Sequence, residues 1–309
     1  HCLIAEGQVG ICGVRQNQNG ILYAQTYGKI SSLAFDPVEK KPLYHFYPGR
    51  IILSIGSVGC NLRCSFCQNW RISQVGFQDW PLEEVTSQKL VELAMANNSV
   101  GIAYTYNEPL VSWEFVYDTA SLAQRRNLKN VLVTNGYVER EPLSVLLPLV
   151  DAMNVDLKSM EESFYRHYCG GTLSPVLATI ETAFRSGVHV EVTNLIVSGL
   201  NDRLELIERL VDWIAQLSPS IPLHFSRYFP AYRLDNPPTS LSVLEEAFTM
   251  AKKKLRFVYL GNVLDEEKSS TFCPSCGKLL VGRSGYTVKI AGLEGNRCRF
   301  CQTELPFCC

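Results

Sequence analysis

Three cysteines on one short stretch, Cys60-Asn-Leu-Arg-Cys64-Ser-Phe-Cys67, are the side chains of this sequence best suited to chemistry. Three thiolates on one loop can hold three corners of a four-iron cube and leave the fourth iron open to a substrate or cofactor. A structural zinc ion borrowing a ligand from elsewhere is the alternative, but zinc knuckles usually space both cysteine pairs by two residues, and the first interval here is three. A second group, Cys273-Pro-Ser-Cys276 and Cys298-Arg-Phe-Cys301, forms two Cys-x-x-Cys knuckles on either side of residues 277–297, close to the spacing of zinc ribbons. Four thiolates close a tetrahedral shell, so zinc there is expected to stabilise and not to catalyse. An auxiliary iron–sulfur cluster is the rival occupant. The other five of the twelve cysteines, Cys2, Cys12, Cys169, Cys308 and Cys309, lie outside both groups, and the last two read as free thiols. In a reducing compartment such spacing indicates metal ligands before disulfides.

These loops need a frame. The chain has 309 residues, 46% hydrophobic and 19% charged, ample for a large core. With 29 basic and 30 acidic side chains the net charge of −1 gives no excess to neutralise a phosphate backbone, so nucleic acid is not expected as a partner. No apolar run is long enough to span a bilayer, which predicts a cytoplasmic protein. From Ile51 onward apolar runs of strand length alternate with segments of helical spacing. The predicted strands are Ile51–Ser57, Val100–Tyr106, Asn130–Thr134, Ala152–Leu157, His189–Val197, Pro222–Phe229 and Arg256–Leu260. Predicted helices include Glu83–Ala96, Leu110–Gln124, Arg203–Gln216 and Ser242–Lys254, the last with Ser242 and Glu245 as a capping box. Six or seven such units predict an α/β fold, a complete or partial TIM-type (β/α) barrel whose functional residues lie at the C-terminal strand ends. A doubly wound sheet is the runner-up. Residues 1–48 read as an N-terminal extension, 49–265 as the barrel, and 266–309 as a small Cys-rich, zinc-ribbon-like unit.

The Cys-x-x-x-Cys-x-aromatic-Cys arrangement, with Phe66 before its last cysteine and a first strand before the loop, resembles the signature of the radical S-adenosylmethionine (SAM) superfamily. The second strand ends Tyr104-Thr-Tyr-Asn107-Glu108-Pro109, where that superfamily has a Gly-Gly-Glu-like segment; here the Glu-Pro stays and Tyr106 and Asn107 replace the glycines. Thr134-Asn135-Gly136 and Asp156-Leu-Lys158 resemble strand ends of pyruvate formate-lyase activating enzymes. Alternation along a strand sends Asp156 and Lys158 to one side. The fifth strand adds Asn194, and the sixth reads Pro222-Leu-His224-Phe-Ser-Arg227-Tyr-Phe229-Pro. Together with the stretch from Cys2 to Cys12, these segments resemble the radical SAM member of the AmmeMemoRadiSam system over nearly the whole chain. Relatives often carry histidine where Phe229 stands, so His224 or Arg227 is expected to supply the polar contact.

The resemblance implies a [4Fe–4S] cluster on Cys60, Cys64 and Cys67 and reductive cleavage of SAM to a 5′-deoxyadenosyl radical that abstracts hydrogen from a substrate the sequence does not name. It implies SAM contacts from Phe66, Asn107, Glu108, Thr134, Asn135, Asp156, Lys158, Asn194, His224 and Arg227. It also implies an electron donor such as flavodoxin or ferredoxin and a Memo-family partner protein. Two other functions compete: activation of a glycyl-radical enzyme, and an iron–sulfur or zinc interaction module without catalysis.

Overall fold

The computed structural model describes residues 2–309. Its main sheet has eight strands: β1 (Ser32–Pro37), β2 (Ile51–Gly56), β3 (Gly101–Tyr104), β4 (Lys129–Thr134), β5 (Ala152–Asp156), β6 (His189–Ile196), β7 (Leu223–Arg227) and β8 (Val258–Gly261). They lie side by side in chain order. β2 to β8 are parallel, and β1 runs antiparallel along β2 with Asp36 opposite Ile52. No pairing among the described residues joins β8 to β1, so the sheet is a partial barrel, open on one side. A doubly wound sheet reverses its strand order midway; this one does not.

Six helices return the chain to the next parallel strand: α1 (Ser87–Ala96), α2 (Trp113–Arg125), α3 (Arg140–Leu146), α4 (Ser174–Arg185), α5 (Leu204–Leu217) and α6 (Leu241–Lys252). In α5 the buried residues Leu206, Ile207, Leu210, Val211 and Ile214 recur three and four apart, which makes one apolar stripe. Such stripes meet outward strand residues such as Leu53, Ile102, Leu132, Val192 and Phe225 in the main core. On the inner face Ala103 and Ala152 are small, and Val38, Leu43 and Phe46 from the segment after β1 pack over them. That segment forms the floor of the barrel interior. No helix among the described residues is long and apolar enough to cross a membrane.

Several expected boundaries shift. Glu83 and Glu84 are not helical; they pair with Lys29 and Ile30, and Thr86 caps α1 by accepting from the Lys89 amide at 3.2 Å. Pro109–Ser112 is a 3-10 turn that precedes α2. The Ser242–Glu245 capping box does not form, because Ser240 is the N-cap and its hydroxyl bonds that of Ser242 at 2.7 Å. Residues 1–48 contribute β1, so residue 48 marks where the parallel units begin, not where the sheet begins. The C-terminal unit likewise shares its core: Leu280, Val281, Leu293, Leu305 and Phe307 pack with Phe257 and Tyr259. Its buried Arg283 donates to the Tyr44 carbonyl at 2.6 Å and to Thr271 Oγ1 at 2.8 Å, and lies 3.7 Å from Glu39 Oε1.

Candidate active site

The loop after β2 carries the three cysteines. Gly59 enters it with φ +87°, and a Cβ there would run into the Cys12 carbonyl and Val14. Cys12, Val14, Val58 and Val111 form an apolar patch behind the loop. From the other side the carbonyls of Cys169 and Tyr168 accept from the amides of Arg63 at 2.7 Å and Ser65 at 2.9 Å. These carbonyls belong to a π-helical turn, Tyr165–Cys169, a rare geometry often found at functional sites. Asn135 Nδ2 donates to Asn61 Oδ1 at 2.9 Å and to Cys60 Sγ at 3.5 Å.

Burial, with Glu108 nearby, pushes the Cys60 thiol pKa up; a hydrogen bond with Cys169 and then burial do the same for Cys64. Thiols held protonated in this way become thiolates when a metal supplies the positive charge. Among the described residues, metal-ligating atoms gather within reach of one ion only at the C-terminal cysteines. Three thiolates on one loop are the donor set that three corners of a four-iron cube take.

The loop thiols line a cavity of about 400 Å³ at the C-terminal strand ends, along with Phe66, Glu108, Thr134, Asn135, Asp156 and Lys158. Glu108 Oε1 accepts from Thr134 Oγ1 at 2.8 Å and Leu110 N at 3.0 Å, and Oε2 accepts from Asn135 N at 2.8 Å. A carboxylate offers about four lone-pair sites, so one remains on Oε2 for an ammonium. Burial raises the Glu108 pKa to about 7 against these hydrogen bonds. Asp156 and Lys158 do share a side and pair at 3.1 Å. Burial alone would depress the Lys158 ammonium, but Asp156 and the nearby thiols outweigh it. The Lys158 Nζ lies 5.9 Å from the Phe66 ring centroid.

Other expected contacts are placed differently. Asn107 lines the cavity, but its amide is taken up by Ser57 N, Val58 O and Gly59 O, so it ties the strand end to the cysteine loop. Asn194 is on the opposite face of β6 from the cavity-lining Thr193 and Leu195, and holds the carbonyls of Leu157 and Lys158. His224 is inward but lies at the base, 2.6 Å from Glu191 Oε2. Arg227 turns away to the Thr239 carbonyl at 2.9 Å and the Phe229 ring. None of these three lines the cavity. Sequence reasoning missed three groups that line it, Tyr106, Lys40 and Lys41, all of which bond Asp36. One signal was present, since a Tyr replaces glycine at position 106 and keeps the left-handed φ of +74° that glycine suits.

At the C-terminal unit, Sγ atoms of Cys273 and Cys301 lie 3.6 Å apart and those of Cys276 and Cys298 3.7 Å, with all four within 4.8 Å of one another. Zinc–sulfur bonds of about 2.3 Å in a tetrahedron give sulfur separations of roughly 3.8 Å, so the group fits one ion. A hydrogen bond with Thr303 holds the Cys301 thiol pKa below its usual value.

An uncharacterized protein of Methanocaldococcus jannaschii is 47% identical over 99% of this chain and 92% of its own. The benzylsuccinate synthase activating enzyme of Thauera aromatica is 25% identical over 61% of this chain and 58% of its own, and the pyruvate formate-lyase 1-activating enzyme of Escherichia coli K12 26% over 49% and 63%. The chain thus spans about three fifths of the length of these two enzymes. Among solved structures, Streptococcus suis SuiB bound to S-adenosylmethionine shares the fold, with TM-score 0.55 and 12% identity over 68% of this chain and 52% of that one. The family model described as the Radical SAM superfamily matches residues 54–214, across the cysteine loop, Glu108, Asp156 and Lys158, and the chain belongs to that superfamily.

Proposed function

We propose that this chain is a radical SAM enzyme that abstracts hydrogen from a small substrate held inside its partial barrel. The observation that carries the reading is the convergence, on one cavity, of three loop thiols and a buried carboxylate with one free lone pair. When bound and reduced, a [4Fe–4S] cluster with SAM supplies the 5′-deoxyadenosyl radical. Cys60, Cys64 and Cys67 would hold the cluster, and Asn135 would donate to the Cys60 sulfur. Glu108 would receive the SAM ammonium, Lys158 its carboxylate, and Phe66 would lie near the adenine. Apolar packing behind the loop and the floor beneath the cavity would keep water from the reactive carbon. A flavodoxin or ferredoxin would deliver the electron. Cys273, Cys276, Cys298 and Cys301 would hold structural zinc, in keeping with their sulfur separations.

The test is anaerobic reconstitution with iron and sulfide, followed by SAM and dithionite. Release of 5′-deoxyadenosine supports the reading; a fully loaded cluster that releases none favours a non-catalytic module. Similarity to activating enzymes favours a second reading, hydrogen abstraction from a glycine of a partner protein. Deuterium transfer from a glycine-labelled protein partner into 5′-deoxyadenosine would select it.

A further inference from the structure

Opposite the cysteine loop, the cavity wall carries a charge arrangement that the radical chemistry does not use. Lys40 Nζ lies 2.8 Å from Asp36 Oδ1 and Lys41 Nζ 2.7 Å from Asp36 Oδ2, so two ammonium groups share one carboxylate. Burial pushes the Asp36 pKa up, but hydrogen bonds from Lys40, Lys41 and Tyr106 outweigh it and hold the carboxyl below its ordinary range. Burial pulls the Lys41 ammonium below its ordinary range although Asp36 opposes it; with both lysines charged the cluster has one positive charge in excess, whereas Asp156 and Lys158 pair one to one. The side chain of Lys41 is only 1% exposed. Among the described residues its Nζ has Asp36 as acceptor and the Tyr106 ring, 4.5 Å from the centroid, as neighbour. An ammonium has three N–H donors, so donors remain on a group that lines the cavity.

Position matters as much as charge. Asp36 is opposite Ile52 near the start of β2, while the cysteine loop leaves its other end. Four residues of strand separate the two backbone levels by about 13 Å, and one cavity is lined from both. Tyr106 spans that height: it follows the end of β3, lies over Gly56, where an added Cβ would come within 2.9 Å of its ring, and hydrogen bonds Asp36. The floor segment around these groups packs Val38, Leu43 and Phe46, with the buried Glu39 and His45 turned to Gly49, Arg283 and Glu191. Burying an ammonium is unfavourable in a way that burying an aliphatic side chain is not, and groups held against that penalty cluster at functional sites.

We propose that Lys40 and Lys41, sharing Asp36 beneath Tyr106, form the recognition site for an anionic group, carboxylate or phosphate, of the substrate whose hydrogen is abstracted. This substrate assignment rests on the radical SAM reading. The anion takes the unspent donors of Lys41 and the half-exposed ammonium of Lys40, which places the adjoining carbon between the floor and the mouth.

The experiment is calorimetric titration of the anaerobically reconstituted full chain, with and without SAM, using succinate in one arm and inorganic phosphate in the other. Saturable millimolar binding of one of them is expected, and the arm that saturates names the group. Lys40→Gln and Lys41→Gln each weaken it about tenfold or more, while SAM affinity and the exposed control Lys289→Gln stay at the parent value. If Lys41→Gln does not fold, the half-exposed Lys40→Gln carries the test. Absence of saturation in both arms, or binding indifferent to Lys40→Gln, overturns the proposal. Loss of SAM binding with anion binding intact overturns the radical reading alone.

Discussion

Glu108 combines full burial with one unfilled acceptor site, and the two properties together fix how it behaves with pH. Its carboxyl sits near 7 because burial outweighs three hydrogen bonds. Cation binding needs the ionised form, so SAM affinity measured by equilibrium dialysis should fall as pH drops below about 7, by up to about tenfold per pH unit. Glu108→Gln should lose on the order of 1.5–3 kcal/mol of SAM binding at neutral pH and flatten that profile; a parent profile already flat from pH 6 to 8 would refute the assignment. Replacing Cys60, Cys64 or Cys67 by Ala should abolish 5′-deoxyadenosine release with the far-ultraviolet dichroism unchanged, since backbone clamps to Tyr168 and Cys169 hold the loop. The cysteines were legible in the sequence because ligand chemistry is carried by residue type and spacing. Asn194 and His224 were not: strand alternation says that neighbours face opposite ways, without saying which parity faces in or how deep a residue sits.

At the scale of elements, β6, β7 and the floor segment meet in a buried cluster. Glu191 accepts from the His45 amide at 2.7 Å and pairs with His189 at 2.9 Å and His224 at 2.6 Å. Burial pulls the His189 pKa down, but hydrogen bonds with Cys308 and Glu191 outweigh it and raise the ring to about 9. A histidine raised in this way contributes stability that is fully present below about 6.5 and is lost as pH climbs through about 9. Denaturant unfolding should therefore show a loss on the order of 3 kcal/mol over that window, much reduced in His189→Gln; equal pH slopes in the two proteins would contradict the pairing. The elements themselves were largely readable, since all seven parallel strands follow apolar runs. What escaped were contacts made at a distance: the Glu83–Glu84 ladder with Lys29–Ile30, and the pairing of β1 with β2, neither of which has a local period to announce it.

For the whole molecule, the two cysteine groups answer to different measurements. The loaded chain is expected to carry about four irons and one zinc, counted by emission spectroscopy after reconstitution; about eight irons and no zinc would replace the structural ion with a second cluster. Because the C-terminal unit shares its core with Phe257 and Tyr259 and sends Arg283 toward Glu39, stripping its zinc should lower the unfolding temperature of the entire chain in one transition. A separate low-temperature transition would show that the unit melts alone. The shared floor has one more consequence. It is laid by residues 38–47, a connecting segment, and not by the strands whose ends carry the proposed cofactor residues. Depth and charge of the chamber can therefore change by exchange of one short piece while the mouth stays as it is. Such a molecule has a fixed engine and a replaceable gauge, and proteins alike at residues 60–67 and 104–108 but divergent at 38–47 would run one chemistry on molecules of different size.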